Sequence, residues 1–175
     1  MSGGGAARSP KSARRDLPAA ASTAPRIVLA CSSSADAARD VAAAAAGKLA
    51  GPPRAVFDPE GTSGVTHLVL EAPRRTVKVL HALARGAWVL KPEWLYASVE
   101  AGGWVREDSF EWGPEDLPGA RAARLARVHG DLGVMSGRVV FVEMDVSPPK
   151  ATLEALVRAS SGDVRGCAGT PPPAR

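Results

Sequence analysis

Cysteine is scarce in this chain: among 175 residues only Cys31 and Cys167 carry a thiol, and they stand far apart in different segments. Two such residues supply neither a disulfide framework nor the spacing of a zinc site, so the sequence predicts a reducing compartment and no metal. Histidine is equally sparse. His67 falls in a run that reads as a buried strand, His81 reads as lying on a helix surface and His129 as lying in a loop, and none stands at a motif distance from a Cys or Asp. No catalytic constellation follows from them, so the chain reads as a non-enzyme. The Gly-rich opening, residues 1–5, lacks the phosphate-loop pattern GxxxxGK[ST], and no cofactor is expected. Aromatic residues make up 5% (four Trp, three Phe, one Tyr), too few to interleave basic residues as a nucleic-acid stacking surface requires. No run approaches the roughly 18 apolar residues of a spanning helix, and the opening MSGGGAARSPKSARR lacks the apolar core of a signal peptide. A soluble intracellular protein with no membrane partner is the expectation.

What remains is globular on average, at 45% hydrophobic and 23% charged. A formal charge of +4 and a pI near 9.5 suit contact with phosphate or with acidic partners. Residues 1–25 hold Gly, Ala, Ser, Pro and basic residues with little to bury, and read as a disordered basic tail. Lys11, Arg14 and Arg15 fit nuclear import there and Ser9-Pro10 fits proline-directed phosphorylation, against the plainer reading of a solubilising tail. The chain length allows one ordinary domain with attachments.

Residues 26–30 form a short apolar run suited to a central strand, and the Ala-rich stretch 35–49 has high helix propensity, with Asp36 in its first turn and Gly51-Pro52-Pro53 as its stop. Residues 54–57 read as a short strand and 58–64 as turn material. Residues 65–72 alternate without Gly or Pro, which predicts a buried strand, and Pro73 ends it. Residues 74–85 then place Val77, Leu80, Leu83 and Ala84 at helical spacing, with Gly86 as a left-handed stop. A strand over 87–90 and a helix from Pro92 to Gly102 complete the order β, α, β, β, α, β, α. That order predicts an α/β fold with a mostly parallel four-stranded sheet flanked by three helices. Trp94 falls on the apolar face of the last helix and reads as core; Trp104 and Trp112 read as partly exposed. Beyond a linker over 113–136 with a short basic helix at 120–128, a strand (137–146), a helix (150–160) and the start of a strand (163–167) repeat the opening of the first unit. No counterpart of residues 65–103 follows, and 168–175 reads as a Pro-rich disordered tail.

The segment RTVKVLHALARGAWVLKPEWLYASVEAGGWV resembles the second half of a BRCT repeat. The likeness rests on the Arg75-Thr76-x-Lys78 helix opening, on Gly86 before the last strand and on Trp94 in the last helix. It implies a BRCT repeat over residues 26–112 and a partial, truncated second repeat over 137–167. Such repeats are non-catalytic interaction modules. The resemblance further implies phosphoserine or phosphothreonine peptide binding, with a phosphorylated histone tail among the expected ligands. It also implies work in the DNA-damage response, chromosome condensation and cell-cycle control, a nuclear and centrosomal location, and a monomeric chain.

On the same resemblance the phosphate contacts fall to Ser32, Ser33, Thr76 and Lys78, and a contact to the peptide backbone falls to Arg75; Trp94 and Gly86 are structural. The chemistry is apt, because a phosphate group wants a fixed cation, hydroxyl donors and free N–H groups at a helix start. The family often has Gly after its hydroxyl residue, whereas the run here is Cys31-Ser32-Ser33-Ser34, so one register puts Cys31 at the hydroxyl position. Asp36 would repel a phosphate if it pointed the same way. A plainer reading has Ser33 or Ser34 capping the helix and Arg74, Lys78, His81 and Arg85 forming a solvated face. Because the second unit supplies only one helix, phosphate binding is expected to be better preserved than selection of the residue three places beyond it. The competing function is a phosphate-independent scaffold that binds a protein partner or DNA ends.

Overall fold

The computed structural model describes residues 26–32, 36–49, 52–61 and 64–166. Both tails, together with Ser9, Lys11, Arg14, Arg15, Ser33, Ser34 and Cys167, lie outside the described residues. The elements run β1 (Ile27–Ser32), α1 (Asp36–Lys48), β2 (Ala55–Phe57), β3 (His67–Leu70), α2 (Val77–Arg85), β4 (Trp88–Leu90) and α3 (Glu93–Ala101). They continue as α4 (Ala120–Val128), β5 (Val139–Phe141), α5 (Lys150–Ala159) and β6 (Asp163–Arg165). No helix among the described residues is long and apolar enough to cross a membrane.

The first four strands form one parallel sheet in the order β2-β1-β3-β4. A parallel sheet is covered on both faces, and its period of two sorts the side chains accordingly. Ile27, Leu29, Cys31, Val69 and Leu90 face one core with Ala42 and Ala45 of α1 and Trp94 and Leu95 of α3. Ala30, Leu68, Leu70 and Val89 face the other with Val79 and Ala82 of α2.

Trp94 is fully buried and stacks between His67, with centroids 5.2 Å apart, and Trp104, 5.0 Å away, while its Nε1–H donates to the Val105 carbonyl at 2.9 Å. Trp104 is therefore buried rather than partly exposed, because the turn at Gly102 and Gly103 folds it back onto Trp94. The open edge of β4 is covered by residues 110–112: Lys91 N–H donates to the Phe110 carbonyl, and Trp112 N–H to that of Val89. This leaves fewer unpaired edge groups.

The stretch 113–119 is packed rather than a free connection, since Leu117 is buried in the second core beside Trp112 and Ala120. It leads into α4, where Arg124 forms a bidentate pair with Glu111 at 2.7 and 2.8 Å and lies over the Trp88 ring at 3.6 Å. Gly86, the left-handed cap of α2 at φ 62, lets α4 approach closely; a Cβ there would stand 2.6 Å from Arg127 Cβ and 2.7 Å from the Ala123 carbonyl oxygen.

The second unit is a parallel β5-β6 pair joined by α5, the same order that opens the first unit. Its first strand is only three residues long, because β6 is its one partner among the described residues. Helix α5 packs on α2, and the chain between α4 and β5 closes over its end: Met135 N–H donates to the Ser160 carbonyl, which lies too near Gly133 to admit a side chain there.

Helix α2 is thus covered on more than its sheet side. His81, expected on a solvated face with Lys78 and Arg85, is 1% exposed.

Candidate functional site

Ser32 ends β1, and α2 follows β3, the neighbouring strand in the sheet, on the face toward which Ser32 points. The alternation that sends Cys31 into the α1 core turns Ser32 toward α2. This fixes the register: Cys31 is 1% exposed, and its thiol is held protonated by burial and by the nearby Glu71, so the hydroxyl at the strand end belongs to Ser32.

Thr76 is the N-cap of α2. Its backbone is extended and its Oγ1 accepts from Val79 N–H at 3.3 Å, as caps do. The same oxygen lies 3.2 Å from Ser32 Oγ. Lys78, in the first turn of α2, reaches back across the strand ends, where its Nζ donates to the Cys31 carbonyl at 3.4 Å and to the Pro59 carbonyl at 2.5 Å. Gly61 makes this reach possible: it adopts φ +69, and a Cβ there would come within 3.1 Å of Lys78 Cδ. An ammonium has three donors, so two carbonyls leave one N–H uncommitted among the described residues.

The structure therefore brings Ser32, Thr76 and Lys78 into one cluster at the carboxyl ends of β1 and β3, beside the free N–H groups and positive dipole end of α2. Arg75 is exposed next to it, and Ser33 lies outside the described residues. Such a cluster offers a fixed cation, two hydroxyls and backbone donors to one anion.

An apolar groove of about 610 Å³ lies farther along α2, lined by Leu80, Leu83 and Ala84, by Leu132 and Val134 of the connecting chain, and by Leu156 of α5.

A second polar arrangement went unread in the sequence. Thr66 Oγ1 lies 2.8 Å from His67 Nδ1, and His67 Nε2 lies 3.1 Å from Glu107 Oε1, giving a hydroxyl, imidazole and carboxylate in line. The order resembles a catalytic relay, but His67 is 1% exposed and Thr66 Oγ1 already accepts from Val28 N–H at 2.8 Å. The line ties the segment after α3 to β3. Nothing in the spacing of positions 66, 67 and 107 signals it. Among the described residues no group of His, Cys, Asp and Glu is arranged to hold a metal.

Residues 27–99 match the family of the BRCA1 C Terminus (BRCT) domain. Microcephalin of Mus musculus is 36% identical over 114 residues, which is 62% of this chain and 14% of that protein. A BRCT domain-containing protein of Arabidopsis thaliana is 32% identical over 108 residues, 57% of this chain and 8% of that one. The chain thus spans about a seventh or less of the length of these relatives. Among solved structures, the S. pombe Brc1 BRCT5-BRCT6 domains share the fold at a TM-score of 0.56 and 18% identity, over 81% of this chain and 66% of that one.

Proposed function

We propose, from the match of residues 27–99 to the BRCT domain family, that the chain is a non-catalytic module that binds phosphoserine or phosphothreonine peptides. The single observation that carries this reading is the convergence of Ser32, Thr76 and Lys78 at the start of α2. In this proposal the Lys78 ammonium turns its uncommitted N–H to the phosphate and Ser32 Oγ donates a second hydrogen bond. Thr76 orients Ser32, Ser33 adds a donor from the following position, and Arg75 holds the peptide backbone. Residues 26–112 form the complete repeat and 137–167 a partial second one, and the apolar groove between α2 and α5 receives a peptide side chain beyond the phosphate. By resemblance to microcephalin, the ligands would include a phosphorylated histone tail, and the setting would be the nuclear DNA-damage response, chromosome condensation and cell-cycle control, with centrosomal association.

A phosphate-independent scaffold is the second reading. The observation favouring it is that the three side chains already bond to one another and to the backbone, so the cluster stands without a ligand. Fluorescence anisotropy with a labelled phosphoserine peptide library and its unphosphorylated twins separates the two. Binding confined to the phosphorylated members supports the first; equal binding of both twins supports the second.

A further inference from the structure

At the opposite end of the sheet from Ser32 and Lys78, where β3 and β4 begin, lies a groove of about 740 Å³ lined by Arg26, Arg85, Arg124, Arg127 and Arg158 and by no carboxylate. The five arginines come from four places in the chain: the residue before β1, α2, α4 and α5. Two are compensated. Arg124 is held by Glu111 at 2.7 Å, and Arg158 meets Glu154 at 3.3 Å. Arg26, Arg85 and Arg127 make no ion pair among the described residues, and Arg85 Nε is buried without a hydrogen-bond partner. Like charges gathered with an orphaned donor are costly unless an anion joins them.

We propose that this groove binds the phosphate backbone of duplex DNA. Guanidinium groups spread over several elements match a repeating anion better than the single phosphate of a modified peptide. The sequence leading into Arg26 carries Arg8, Lys11, Arg14 and Arg15 against Asp16 alone, a basic approach of the kind that serves nucleic acid. Single strands call for exposed rings on which bases stack, but the one Trp in the groove, Trp88, has Arg124 lying over it. Backbone recognition of a duplex needs no ring. The proposal is independent of phosphopeptide binding, which uses the other end of the sheet.

The test is anisotropy of the full chain with a labelled duplex of about 20 base pairs and arbitrary sequence, titrated between about 50 and about 200 mM salt. Neutralising three phosphates predicts a loss of about 40-fold in affinity over that range, whatever the sequence. The exposed pair Arg26→Glu with Arg127→Glu should weaken binding at least about tenfold and flatten the slope of log affinity against log salt by about 2. The milder pair Arg26→Gln with Arg127→Gln should fall between and guards against a folding defect in the first. Arg75→Glu, at the far end, should leave duplex binding unchanged. No binding at the lowest salt would overturn the proposal. So would arginine variants that bind like the parent, a loss that follows Arg75→Glu instead, or displacement by poly-glutamate as effective as by unlabelled duplex.

Discussion

Replacing His81 with leucine should stabilise the protein, and more so as the pH falls. The side chain is 1% exposed, and neither Nδ1 nor Nε2 has a hydrogen-bond partner. Leaving a buried polar group unsatisfied costs about 1–3 kcal/mol, and leucine, of similar volume, removes that cost for at most about 1.5 kcal/mol of imperfect fit. At pH about 7.5 the expected net gain is about 1 kcal/mol. The second part comes from protons. Burial, assisted by the positive charge of Arg85, lowers the His81 pKa in the folded protein below its ordinary 6.5. The unfolded chain therefore takes up a proton near pH 6.5 that the folded chain refuses. The parent's stability is complete above that value and is lost as pH falls from it toward the lowered folded value, by up to about 1.4 kcal/mol per pH unit. Urea unfolding followed by circular dichroism at several pH values from about 8 to about 5 measures both parts. Whatever else depends on pH is common to parent and variant and cancels in the difference. The gap between His81→Leu and parent should widen as acid is added. A constant gap, or a variant less stable than the parent throughout, would refute the reasoning.

Two further stability predictions follow from the packing. Gly86→Ala forces a side chain into a left-handed residue at φ 62, where its Cβ would lie 2.6 Å from that of Arg127; a loss of about 2–4 kcal/mol is expected in the same urea assay. Trp94→Ala removes a fully buried ring stacked on two others and should cost about 3–5 kcal/mol, read as a lowered denaturation midpoint.

The sheet and its helices were legible because each rests on a local signal. The alternation over 65–72, the Ala-rich run before Gly51-Pro52-Pro53 and the glycine after Arg85 each name an element, and the structure has one at or within a few residues of each. The run Cys31-Ser32-Ser33-Ser34 leaves two registers open, and only the structure, which buries Cys31 beside Ile27 and Leu29 and sets Ser32 Oγ 3.2 Å from Thr76 Oγ1, puts the Ser32 hydroxyl at the strand end. His81 was not legible either. It sits on a stripe with Lys78 and Arg85 that looks solvated, and only the docking of α4 and α5 on α2 covers it. Trp104 is likewise buried by a ring ten positions earlier, which no local period reports. The arginine groove draws on positions 26, 85, 124, 127 and 158, so chain order scatters what the fold assembles. For the candidate site, the Arg-Thr-x-Lys opening pointed to Thr76 and Lys78, but the support of Lys78 by the carbonyls of Cys31 and Pro59 depends on a loop whose path the sequence does not give.

The most direct test of the phosphopeptide reading is the affinity of one phosphoserine peptide for the full chain and for Lys78→Ala, measured by calorimetry with the unphosphorylated twin alongside. Removing a charge-assisted hydrogen bond predicts a loss of about 1.5–3 kcal/mol, roughly tenfold to over a hundredfold, confined to the phosphorylated peptide. Equal affinity of parent and variant for that peptide would contradict the account and take Lys78 out of the site.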